Sequence, residues 1–188
     1  NRKVRNTVRK SMTPIHWGYL RISDGCDHKC AFCSIPAIRG PHKSETVEDL
    51  LIEAKRLANN GVRELILISQ DSVRYGADLY GRPALVKLLT ELEKVHGIQW
   101  IRLMYTYPAF WTGEMIDLFA SSSKICAYID MPLQHIADSV LRRMKRATTR
   151  QKTIDLLDLL RDRIPGVGLR STFIVGFPGE TDEDFDLT

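Results

Sequence analysis

No stretch of this chain is apolar for long enough to span a bilayer, and cysteine is scarce, with four residues in 188. The basic N-terminus, NRKVRNTVRKSM, lacks the apolar centre of a secretory signal, so no membrane or export role is expected. Disulfide staples are also excluded as the basis of the fold. A composition of 44% hydrophobic and 27% charged residues supplies a full core, and three of the cysteines lie too close together to cross-link distant segments. A reducing, cytoplasmic setting follows as the expectation. The net charge of +4 and pI near 8.9 allow contact with nucleic acid or an acidic surface without requiring it. There is no internal repeat and no low-complexity tract.

What is present is an alternation of strands and helices. GYLRIS (18–23), ELILIS (64–69), QWIRLMY (99–105), CAYIDM (126–131) and LRSTFIV (169–175) read as strands. Helical spacing recurs at Val47, Leu50, Leu51, Ala54, Leu57 and Ala58, with Thr46 as N-cap, and again near 83–95, 112–120, 137–145 and 150–163. This pattern predicts an α/β fold of parallel strands with right-handed crossovers, a (β/α) barrel or a large part of one. Residues 1–13 read as a linker from an upstream domain, 14–188 as the core, and Thr181 as the N-cap of a helix that begins at the C-terminal end of the chain.

Arg21, Arg102 and Arg170 interrupt strands that would be wholly apolar if both faces were buried. Tyr19, Arg21 and Ser23 alternate with Leu20 and Ile22, so one face suits helix packing and the other a wet interior. Parallel barrels gather their chemistry at the C-terminal ends of the strands. Those loops carry the three cysteines, then Gln70 and Asp71, then Tyr105, Tyr107 and Pro108, then PLQH (132–135), then GFPGE (176–180).

Cys26, Cys30 and Cys33 stand in DGCDHKCAFCSIPAIRG (24–40), without a nearby fourth thiol. Structural zinc wants four ligands, which would have to include Cys126, His28 or His42. Cys126 reads most simply as a small buried residue at the far end of a strand. Spacing alone leaves an iron–sulfur cluster, a zinc site and unliganded thiols open, with the cluster favoured. Three thiolates on a cluster would leave one iron free for chemistry.

The spacing of Cys26, Cys30 and Cys33, with Phe32 before the last thiol, resembles the signature of radical S-adenosylmethionine (SAM) enzymes. YLRISDGCDHKCAFCSIPAIRG, LILISQDSVRYG, YIDMPLQH, LRRMKR and LRSTFIVGFPGETDEDF narrow the resemblance to the methylthiotransferase family over nearly all of 14–188. The Ser-Ile-Pro after Cys33 and the Ser-Gln-Asp at 69–71 are more similar to the branch that modifies an aspartate of a small-subunit ribosomal protein than to the branch acting on adenosine in tRNA.

The resemblance implies a partial TIM-like barrel lacking its last strand, with a 4Fe-4S cluster on Cys26, Cys30 and Cys33 that cleaves SAM to a 5'-deoxyadenosyl radical. It implies Phe32 against adenine, Gln70 near the methionine amino group, Gln134 at the ribose, Arg170 at the carboxylate, and backbone edges from Val175 and Gly176. It further implies an N-terminal domain with a second 4Fe-4S cluster, a C-terminal β-domain, and a flavodoxin-like or similar electron donor, with no sulfur insertion by the core alone. The basic run RRMKRATTRQK (142–152) is either a solvated face or a contact with RNA phosphates. A zinc-binding module and a non-catalytic scaffold remain the alternatives from other classes.

Overall fold

A computed structural model describes residues 13–188; the linker expected over 1–13 therefore lies, apart from Thr13, outside the described residues. The chain runs β1 (Trp17–Arg21), β2 (Ser23–Asp24), α1 (Ile35–Arg39), β3 (Lys43–Ser44), α2 (Val47–Asn59), β4 (Glu64–Ile68), α3 (Ala77–Tyr80) and α4 (Leu85–Glu93). It continues through β5 (Trp100–Leu103), α5 (Gly113–Ser121), β6 (Tyr128–Asp130), α6 (Asp138–Arg143), α7 (Arg150–Arg163), β7 (Gly168–Arg170) and α8 (Asp182–Asp186).

Strands β1, β4 and β5 pair in parallel in that order, and β6 pairs in parallel with β7. The two sets join where Ile101 bridges Ile125 and Thr106 N–H donates to the Asp130 carbonyl at 2.8 Å. Each strand of the wall thus lies beside the preceding wall strand, while β2 and β3 pair apart from it. A doubly wound sheet would reverse its order; this arc does not, and curves as a barrel wall.

The two faces of the wall differ as the alternating sequence requires. Leu20, Leu67 and Leu103 share one register row, and Leu65 and Ile101 another; all are buried outward beneath the helices. Tyr19, Ile66 and Arg102 share the row between and face the lumen, where Tyr19 is 48% exposed. Arg102 is held there by Glu64, Nε to Oε1 2.6 Å, with its guanidinium over the Tyr128 ring.

Helix α2 starts because the Thr46 hydroxyl accepts from Asp49 N–H, and buries Val47, Leu50, Ala54 and Ala58 at helical spacing. Helix α4 does the same with Leu85, Leu88, Leu89 and Leu92, and α5 with Met115, Ile116 and Phe119.

Two expectations are corrected. The strand expected over 169–175 is regular only at Gly168–Arg170; beyond it, Gln134 N–H donates to the Thr172 carbonyl and Ile174 N–H to the Gln134 carbonyl, a pairing with a loop rather than a strand. The first strand ends at Arg21, and Ser23–Asp24 instead forms a short antiparallel ribbon with Lys43–Ser44. That ribbon closes the neck of the cysteine segment.

Leu67, fully buried in the middle strand, tests the wall: Leu67→Ala should cost about 2–5 kcal/mol in urea denaturation. Helix α8 begins with a capping box between Thr181 and Asp184 and is tied to α6 by Asp184. The Ser139 hydroxyl, with Thr181 N–H and Arg143, holds the Asp184 carboxyl below its ordinary range. Because the folded value is depressed, this support is complete above the ordinary carboxylate range and lost as pH falls through the folded value. Amide protection factors in α8, corrected for the intrinsic pH dependence of exchange, should therefore fall on acidification before those in α4 do.

Candidate active site

Between β2 and α1 the segment carrying the thiols has no helix or strand, so its shape is set by neighbours. Its entry is fixed by Gly25, whose φ of +78° is open to glycine and costly for other residues. A Cβ there would lie 2.2 Å from the Pro41 carbonyl oxygen. The next residue, Cys26, donates its N–H to the Gly40 carbonyl at 3.1 Å, and Asp27 Oδ1 accepts from His42 N–H at 3.0 Å. At the far side, Ala31 N–H donates to the Met144 carbonyl at the end of α6.

His28, between the first two thiols, ties the segment to two other loops. Its Nε2 lies 2.7 Å from Asp71 Oδ2, and its ring stacks on Tyr107 at 4.2 Å with planes 15° apart. Asp71 follows β4 and is buried; in sequence it reads as equally able to remain solvated. Two barrel loops thus grip the cysteine segment through a single side chain.

Cys26, Cys30 and Cys33 line one cavity of about 380 Å³ at the C-terminal ends of the strands, and all three are free thiols. The other walls are Phe32, Gln70, Gln134, Arg146 and the segment Tyr105–Tyr107. Of the nine residues singled out in sequence, the cavity therefore gathers six. Arg170, Val175 and Gly176 are not on its wall; Arg170 pairs with the buried Asp130, Nη1 to Oδ1 2.9 Å. Cys126 lies apart, near Arg102 and Glu64.

Gln70 presents a buried Oε1 without a hydrogen-bond partner, an acceptor available to an N–H or O–H donor inside the cavity. Gln134 takes a left-handed backbone, φ 74°, its N–H and C=O both used in pairing to Thr172 and Ile174. It does not cap the next helix: α6 has Ala137 at its N-cap, and His135 Nδ1 accepts the Ala137 N–H. Burial raises the Cys26 thiol above its ordinary range, aided by Asp71 and the other two thiols and opposed by His28 N–H.

Three thiols face one cavity, yet among the described residues no three His, Cys, Asp or Glu converge closely enough to hold a single metal ion. Three thiolates on one cavity wall, with the remaining thiol, Cys126, lying apart, match the ligand chemistry of an iron–sulfur cluster.

Residues 20–188 match the family model of the Radical SAM superfamily, and the chain belongs to that superfamily. Among curated proteins it is similar to the ribosomal protein uS12 methylthiotransferase RimO of Flavobacterium psychrophilum, 52% identical over 179 residues, or 95% of this chain and 41% of that protein. The RimO of Elusimicrobium minutum is 50% identical over 175 residues, 93% of this chain and 41% of that protein. The chain thus spans about two fifths of the length of these relatives. A solved structure of the radical SAM methyltransferase TsrM from Kitasatospora setae, with tryptophan and a SAM analogue bound, superposes with a TM-score of 0.72 at 20% identity. That overlap covers 94% of this chain and 35% of TsrM, and shows the fold alone.

Sequence reading missed Arg146, which it placed in a basic surface run, and weighed His28 only as a zinc ligand. No local signal marks either role, since their partners lie far away in the chain. Asp71→Ala, which removes the His28 partner, should leave secondary structure intact by circular dichroism. It should also speed iodoacetamide labelling of Cys26 and Cys30 several-fold, in keeping with loss of a buried hydrogen bond.

Proposed function

We propose that this chain is the catalytic core of a radical SAM methylthiotransferase that modifies an aspartate side chain of the small-subunit ribosomal protein uS12. The observation carrying this reading is the thiol triad on the cavity wall, in a chain about half identical to RimO proteins over nearly its whole length. When bound at such a triad, a 4Fe-4S cluster with SAM supplies one-electron cleavage of a carbon–sulfur bond and hydrogen-atom abstraction from substrate.

The chain's own residues would divide the remaining work. Cys26, Cys30 and Cys33 would be the ligands, held in place by His28 and Gly25. Phe32 offers an aromatic face to a purine, and the unpaired Gln70 oxygen suits an ammonium group. Gln134 would meet the ribose. Arg170, Val175 and Gly176 follow on the segment bonded to Gln134 through Thr172 and Ile174, and are proposed as the outer end of the same ligand site, with Arg170 at a carboxylate. Buried walls at Ser69, Thr106 and Tyr107 keep bulk water from the inner side.

The finer partners belong to this reading. Arg142, Lys145, Arg150 and Lys152 are exposed and would meet ribosomal RNA phosphates, while a flavodoxin-like protein would deliver electrons. A second 4Fe-4S cluster is proposed in a further domain of the whole protein. No helix among the described residues is long and apolar enough to cross a membrane.

Anaerobic reconstitution of the full-length protein with iron and sulfide tests the reading. The wild type should turn brown and release 5'-deoxyadenosine from SAM. Alanine at Cys26, Cys30 or Cys33 should abolish that release, whereas Cys126→Ala should retain it. A colourless zinc protein, or a cluster without release, would sink the proposal.

A further inference from the structure

We infer that Arg146 is a positioning residue for the thiol end of the site: its guanidinium is set to donate to sulfur at Cys30 and to hold a fixed positive charge against an anionic metal–sulfur group. The inference rests on the cluster reading above and extends it to a residue outside the cysteine motif.

The backbone delivers Arg146 inward. Helix α6 ends in a Schellman motif, with Arg146 N–H donating to the Leu141 carbonyl at 2.9 Å and Lys145 N–H to the Arg142 carbonyl at 3.0 Å. Lys145 takes the left-handed position, φ 57°, where glycine is the usual occupant. The turn reverses the chain, so Lys145 points to solvent and Arg146 enters the cavity. The same helix end accepts the Ala31 N–H through Met144, so α6 and the cysteine segment are fixed relative to one another.

The side chain is then held on three sides. Nη2 donates to the Pro132 carbonyl at 2.7 Å, the guanidinium lies 4.0 Å from the Tyr107 ring centroid, and Nη1 is 3.9 Å from Cys30 Sγ. Nε is buried and has no partner. Tyr107 itself is fixed, because its hydroxyl accepts from Ala147 N–H at 2.9 Å and its ring carries His28. Arg142, Arg143, Lys145, Arg150 and Lys152 in the same run are all exposed, so a general basic face does not account for Arg146. Arg21 also lines the cavity but is paired with Asp24 at 3.4 Å.

An iron–sulfur cluster held by Cys26, Cys30 and Cys33 would become more negative by one charge on accepting an electron from a one-electron donor. A desolvated cation hydrogen-bonded at its sulfur stabilises the more negative state, so Arg146 should raise the reduction potential. Removing it should lower that potential.

The test is an EPR-monitored dithionite titration of the anaerobically reconstituted full-length protein, following the signal that disappears when Cys26, Cys30 and Cys33 are all alanine. Arg146→Gln should shift the midpoint to more negative potential, with a reduced-to-oxidised ratio at fixed potential roughly tenfold lower. Arg146→Lys, which keeps charge but not the planar fork, should fall between. Arg161→Gln, an exposed arginine on α7 remote from the thiols, should match the wild type.

Wild-type midpoints in both Arg146 variants overturn the inference, as does an unchanged midpoint with weakened SAM binding, which would assign the guanidinium to the ligand. Should Arg146→Gln fail to fold, Arg146→Lys decides on the same criterion. A wild type that forms no cluster at the triad refutes the proposed function instead.

Discussion

The contact between His28 and Asp71 is the constraint from which the site's geometry follows. The cysteine segment has no regular structure of its own, and thiols on an unrestrained loop would pay a large entropic cost to converge. A buried carboxyl at the end of β4, 2.7 Å from the imidazole, fixes the loop at its centre. Tyr107 stacks on the other side of that ring, and Arg146 on the other side of Tyr107. The result is a column of side chains from three barrel loops and the end of α6, crossing the mouth of the barrel beside the thiols. Gly25 serves the same end from the backbone, because only a residue without a Cβ passes the Pro41 carbonyl.

The lumen depends on a related device. Asp130, buried at the end of β6, receives Arg170 on one oxygen and the Tyr105 N–H on the other. Tyr105 has φ 58°, a conformation that costs an aromatic residue about 1–3 kcal/mol and persists only when its surroundings enforce it. With Gln134 also left-handed, two of the strained positions among the described residues stand on the cavity wall. The stability that leucine rows supply on the outer face of the sheet supports this strain on the inner one.

Much of this was legible in sequence because it is periodic. The alternation at Tyr19–Ile22 and the stripes of α2 and α4 state which face is buried, and the strand order follows from short crossovers. The cysteine spacing was legible because the three ligands are adjacent in the chain. What was hidden has no period. The β2–β3 ribbon has two-residue strands, too short for any pattern, and the pairing beyond Arg170 is with an irregular loop. Arg146 acts 116 positions away from Cys30, and its inward turn depends on a lysine in a conformation that sequence assigns to glycine. Asp71 beside Gln70 reads as polar and solvated until the fold buries it.

The strand order carries one more consequence, for how the molecule is made. Every wall strand lies against the one synthesised before it, so a chain leaving the ribosome always finds its template already in place. Within this core the cysteine segment precedes every partner that holds it. Asp71, its first side-chain anchor, follows 43 residues after His28, whereas Arg146 comes 116 residues after Cys30, so the site is completed in stages as the core is made. The strand order thus makes the mouth of the barrel the last part of this core to close.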